Sequence, residues 1–171
     1  MPHDQTDVAK LVLLPEELLV LANAHERQEM NHYRRLAFGF LPFDLGMSKL
    51  MAALGIECER RLDEQRQASQ RLALPDTLTA HETRHAKQYF FVVNRDMAME
   101  TLTQAIAVAD YSLRFSEHLL DANATPELDP MLTAFVKQKR AECRILQDSL
   151  DACVDRGPKH VMAGYGRQSA G

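Results

Sequence analysis

The chain has 171 residues, 46% of them hydrophobic, and a formal net charge of −4. That length suits one domain with a proper core, and the acidic balance gives no general attraction to nucleic acid or to anionic membranes. No stretch approaches the ~20 apolar residues that cross a bilayer, Pro15, Glu16 and Glu17 break the only signal-like run, and three well-separated cysteines favour a reducing, cytoplasmic setting.

The chain reads as helices. A first helix is expected from about Pro15, a good first-turn residue, to about Leu41. Its stripe is Leu19, Ala22, Glu26, Glu29, Tyr33, Leu36 and Phe40, in steps of three and four. The turn GFLPFDLG ends it. A second helix is expected from Leu45 to Leu74, with Met47, Leu50, Leu54, Glu57 and Arg61 on one face and Pro75 as its stop. In the connection that follows, Thr79 and Glu82 form a capping box, which predicts a short helix over about 80–91. A third helix starts after Asn94 as N-cap. It runs to about Ala122 through Met99, Leu102, Ile106, Asp110, Leu113, Glu117 and Leu120. A fourth has Asp129 as cap and Pro130 at its first position, carries Leu132, Phe135, Lys139, Glu142 and Leu146, and closes at Gly157-Pro158. No segment shows convincing two-residue alternation. The expectation is an all-α, ferritin-like four-helix bundle over 11–157, with one long crossover between helices two and three. Flexible tails are expected at 1–10 and 158–171.

Each long helix places one acid on its stripe near mid-length: Glu26, Glu57, Asp110 and Glu142. In a bundle these acids meet at a common depth. Buried acids are costly unless compensated, and they push each other's pKa upward. Bound metal ions are one compensation, and internal Arg or Lys the other.

The stretch ERQEMNHY gives Glu26, Gln28, Asn31 and Tyr33 at the spacing E-x-Q-x-x-N-x-Y. In this the first helix resembles that of rubrerythrins and related ferritin-like proteins. The resemblance implies that Glu26 is an iron ligand and that Tyr33 hydrogen-bonds a ligand on another helix. Elsewhere the chain departs from that pattern. Arg60, or Arg61 in the register that uses Cys58, stands where the second helix of the family has His. Asp110 is followed by Leu113 where the third helix has a second Glu, and Ile145 replaces the His of the fourth. No CxxC pair is present. Four acids remain of about six ligands, and Arg60, Arg61 and Lys139 are candidate replacement cations able to bind carboxylates bidentately or as point charges.

Further features offer metal chemistry. HETRH, His81–His85, spells a zinc-hydrolase motif. Charged Arg84 inside it, the capping duty of Glu82 and the lack of a defined third ligand favour an ordinary polar helix start. His25, Glu29 and His32 form a stripe at steps of four and three that can hold a metal, although such stripes are more often solvated faces or subunit contacts. His118 has no aligned partner. Cys58 and Cys143 each follow a proposed core acid, as apolar filler, soft ligand or redox pair.

Three functions are therefore expected to compete. The first is a metalloprotein that binds iron or another divalent transition metal at a reduced carboxylate site, with a possible oxidoreductase or iron-handling role. The second is a metal-free bundle whose acids pair with Arg and Lys, serving binding or assembly. The third, disfavoured, is a zinc hydrolase. A homodimer is expected, with Phe38, Phe40 and Phe43 either forming the contact or plugging their own bundle.

Overall fold

A computed structural model describes residues 11–76, 78 and 90–156. Among them are four long helices and no strand: α1 (Pro15–Phe40), α2 (Leu45–Arg71), α3 (Arg95–Ala122) and α4 (Asp129–Asp155), with a short 3₁₀ turn at Pro126–Leu128 before α4. The helix starts follow the sequence signals. Pro15 opens α1, and the Glu17 carboxylate accepts from the Leu14 N–H. Asp44 caps α2 by accepting from Met47 N–H at 3.0 Å, and Asn94 caps α3 by accepting from Met97 N–H at 2.9 Å. Asp129 does not cap α4. It lies within the helix and accepts instead from the Asn123 amide at 2.7 Å. α2 ends at Arg71, three residues before the expected Leu74, where Ala73 turns into the left-handed region.

The corners fix the topology. At one end the Phe43 and Asp44 N–H groups bond back to Phe40, so α1 hands directly to α2. The same end holds the start of α3, because Val92 N–H donates to the Gly39 carbonyl at 2.9 Å. It also holds the finish of α4, because Arg95 donates to the Cys153 carbonyl. A Cβ at Gly39 would stand 3.0 Å from the Phe90 ring, so the close approach of 90–92 depends on glycine there. At the other end, Leu13 N–H donates to the Ala122 carbonyl at 3.0 Å. α1 and α4 therefore run one way, and α2 and α3 the other. The 27 residues of α2 rise about 40 Å at 1.5 Å each. The connection from Leu72 to Asn94 must return that whole length. One long crossover in a four-helix bundle is compatible with a ferritin-like fold. The short helix expected at 80–91 lies almost wholly outside the described residues, and at its described end 90–93 is not helical. HETRH, the two tails and Gly157-Pro158 also lie outside them.

Two apolar clusters fill the ends of the bundle. One gathers Leu36, Phe40, Met51, Leu54, Leu102 and Leu146, and the other Leu18, Leu19, Ala68, Leu119, Leu128 and Leu132. All seven stripe residues of α1 and all five of α4 are buried as expected. The buried face of α2 is turned by about one residue, to Met51, Leu54, Cys58, Arg61 and Gln65. The face of α3 is turned likewise, to Ala98, Leu102, Ala105, Ala109, Ser112 and Ser116. Its small side chains let α3 approach the bulky polar groups of the middle.

That tight fit sets an expected outcome. Ala109→Leu overpacks the interior and lowers stability by about 1–3 kcal/mol. Val108→Leu, on the partly exposed side, changes it by less than about 0.5 kcal/mol. Urea denaturation of both variants checks this.

Candidate functional site

Between the apolar clusters lies a polar layer. Glu26, Glu29, Arg61, Gln65, Ser112, Ser116, Lys139 and Glu142 are all buried there, and Arg61 has no exposed surface at all. α1 supplies two of its acids one turn apart, α2 the arginine, and α4 a lysine and an acid three residues apart. α3 supplies only hydroxyls. The helical period brings each group to the same depth.

The geometry is that of an ion-pair lattice. Arg61 Nε donates to Glu26 Oε1 at 2.8 Å, and its Nη1 donates to Glu142 Oε1 at 2.6 Å. Its Nη2 lies 3.4 Å from Cys58 Sγ. Lys139 Nζ lies 3.1 Å from Glu26 Oε2 and also pairs closely with Glu29 Oε2. Tyr33 hydroxyl donates to Glu142 Oε2 at 3.4 Å. Both oxygens of Glu26 are thus taken by cations. Three buried carboxyl groups thus face two cations.

The protonation balance follows. Burial pushes the Glu29 carboxyl up, but the Lys139 ammonium overrides it and, with the Ser112 hydroxyl, holds it below the ordinary value. Burial pushes Glu142 up, with Arg61 opposing. Burial tends to lower the Lys139 ammonium, but Glu26 and Glu29 outweigh it and raise the value. Burial, and then Glu26, raise the Cys58 thiol. Charged groups this deep cost several kcal/mol each to desolvate and are tolerated only when fully paired. The exposed pairs Arg34–Glu59, Arg60–Glu57 and Arg114–Asp110 are worth about 0–1 kcal/mol apiece.

Among the residues expected to meet, Glu26, Glu142, Tyr33, Arg61 and Lys139 do. Glu57 and Asp110 do not. Their side chains are 45% and 50% exposed, and each pairs with an arginine of its own helix, Glu57 with Arg60 and Asp110 with Arg114. The cause is the rotation of α2 and α3: Cys58 and Ala109 take the inward positions one residue earlier or later. Arg60 turns outward with Glu57. The register that uses Cys58 and Arg61 is the one the fold adopts. Glu29 is the third buried acid. Choosing one acid per helix passes over it, although it lies on the α1 stripe itself.

The chemistry open to this layer can be tested against its donors. Ligand atoms of Glu26, Glu29 and Cys58 lie within 4.8 Å of one another and can hold a metal ion. The fit is incomplete. Glu26 offers no free oxygen, Lys139 sits on Glu29, and Cys58 carries a thiol that burial keeps protonated. A di-iron centre does not fit these residues, because the carboxyl groups that would bridge two ions are held by Arg61 and Lys139. A hydrolytic triad does not fit either. His25 Nε2 and the Ser112 hydroxyl share a hydrogen bond of 2.8 Å, but Glu29 approaches that same nitrogen, at 4.0 Å, and not the Nδ1 a triad acid must hold. Cys143 is a free, partly buried thiol packed against the apolar cluster that holds Leu36 and Leu146, and His118 is exposed. Comparison with protein-family models, with curated proteins and with solved structures finds no match for the chain.

Lys139→Met leaves Glu26 and Glu29 short of a cation and costs about 3–5 kcal/mol at neutral pH. The contribution of Glu29 carries a definite sign. Its folded pKa lies below the ordinary 4.5, so its ionised form stabilises above that pH and the benefit is lost as pH falls through the folded value. Without Lys139 the same carboxyl is destabilised by burial and gains from protonation. The stability gap between wild type and Lys139→Met therefore narrows on acidification, first above pH 4.5 as the variant's buried carboxyl takes a proton and then below it as the wild-type ion pair is lost. Urea midpoints measured across pH report it. A gap that stays constant would mean the lysine contributes packing alone.

Proposed function

We propose that this chain is a ferritin-like bundle in which built-in cations stand where related bundles hold metal, and that it serves binding or assembly. The observation that carries this reading is Arg61, which spans Glu26 and Glu142 from a fully buried position. A guanidinium between two carboxyl groups supplies the positive charge, the directional bonds and the cross-helix tie that a metal would otherwise supply. Lys139 does the same for Glu26 and Glu29. With its carboxylates so occupied, the interior gives the fold its shape, and recognition falls to the surface.

The surface offers one such place. Ala37, Phe38 and Leu41 of the α1 end line a groove with Ala52, Gly55 and Ile56 of α2, and Arg34 and Glu59 border it. Phe40 plugs its own bundle, whereas Phe38 and Phe43 face outward. This patch supports self-association as a homodimer.

The second reading is metal binding, favoured by the Glu26–Glu29–Cys58 cluster. An iron or other transition-metal site there, with an oxidoreductase role, requires Lys139 to swing away and Cys58 to ionise. One set of measurements separates the two. On our reading, protein purified without chelator holds no metal that Cys58→Ser or Glu26→Gln removes. Arg61→Met unfolds at about 3–5 kcal/mol lower stability, and added chelator changes neither protein. Stoichiometric iron lost in Cys58→Ser would establish the metal reading instead. Light scattering of Ile56→Glu checks the assembly surface, with the expected outcome a dimer for the wild type and a monomer for the variant.

A further inference from the structure

The walls of the outer groove are α1 on one side and α2 on the other. Its apolar part holds about 340 Å³, and within it Leu41 and Ile56 are 52% and 61% exposed. A contiguous exposed apolar patch marks a contact face. Farther from the α1–α2 corner the walls carry opposite charges, Arg34 on α1 and Glu59 on α2, and the two pair across the groove. Gly55 lies between them and the apolar part. A methyl group there would stand 3.7 Å from Arg34 Cγ and 3.8 Å from Tyr33 Cβ, ordinary contact distances, so the packing of α1 on α2 does not require glycine. Glycine inside a helix is destabilising relative to alanine. Here it leaves the groove deeper.

The charge pattern selects the occupant. One positive and one negative wall give the groove no net charge with which to draw a strongly charged partner. A half-turn about an axis running along the groove exchanges the walls. It lays α1 of one protomer over α2 of its partner, with apolar part on apolar part. It also sets Arg34 against Glu59 of the partner subunit, twice by symmetry. Walls of one sign would repel a copy in this arrangement, whereas walls of opposite sign attract it. The Arg34 and Glu59 side chains are both about half exposed, so a partner can reach them. A guanidinium has five N–H donors and a carboxylate accepts at both oxygens. Each side chain can therefore keep its in-chain partner and take a second across the interface.

We infer that two copies of this chain pair through the α1–α2 groove about a two-fold axis along its length, and that ion pairs exchanged between Arg34 and Glu59 determine the choice of partner. This rests on the self-association proposed above and adds to it an orientation and two specificity-determining residues.

Sedimentation velocity of the full chain, with native mass spectrometry of mixtures, tests this. The wild type is expected to be a dimer. Arg34→Glu and Glu59→Arg each bring like charges face to face twice, and each weakens the dimer by at least about tenfold. Both side chains are half exposed in the protomer, and circular dichroism verifies that the variants keep their fold. Mixed in equal amounts, the two variants form a heterodimer, because every facing pair is again of opposite sign. The double variant Arg34→Glu/Glu59→Arg pairs with itself for the same reason. Wild-type dimerisation in both single variants, with Ile56→Glu monomeric, would overturn the two-fold exchange and leave self-association through the groove standing. Loss in the single variants without recovery in the mixture overturns the exchange as well. A monomeric wild type sinks both readings.

Discussion

The Arg61 guanidinium is the constraint on which the interior depends. It reaches from α2 to carboxylates on α1 and α4, and it has no contact with solvent. A buried charge of this kind is stable only with its partners in place, so the three helices are locked in register by it. Lys139 repeats the arrangement one turn away on α4 and ties that helix twice to α1.

This lattice divides the core. Apolar clusters lie above and below it, and the polar layer crosses the bundle between them. α3 contributes no acid to the layer. Its Ala and Ser face permits the close approach that shields the ion pairs from water. Ser112 and Ser116 each find a partner, Ser112 on His25 and Ser116 on the Ser112 carbonyl. A small gap beside them is lined by His25, Glu26 and Gln65.

The layer also explains why metal chemistry and ion pairing compete at this position. The donors that bind a divalent ion are the acceptors that hold Arg and Lys. Whichever arrives covalently attached has the advantage of effective concentration, because the lysine and arginine are already positioned by their helices.

Much of this was legible in the sequence. The three-four spacing of large residues on α1 and α4 determines their buried faces, including Glu26, Tyr33, Lys139 and Glu142. Caps at Asp44 and Asn94, and prolines at the starts of α1 and α4, mark where helices begin. The arginine at the position of an expected histidine signals that a cation has entered the core. The rotation of α2 and α3 was decided by tertiary structure alone. On α2 two neighbouring stripes share Leu54 and Arg61, and only packing against α1 chooses the one with Cys58 over the one with Glu57. On α3 the inward face is made of Ala and Ser, whose apolar contrast is weaker than that of the outer Met99, Ile106 and Leu113. A periodicity reading follows the larger side chains, whereas the assembled bundle selects the smaller ones because the space beside Arg61 and Tyr33 is already filled.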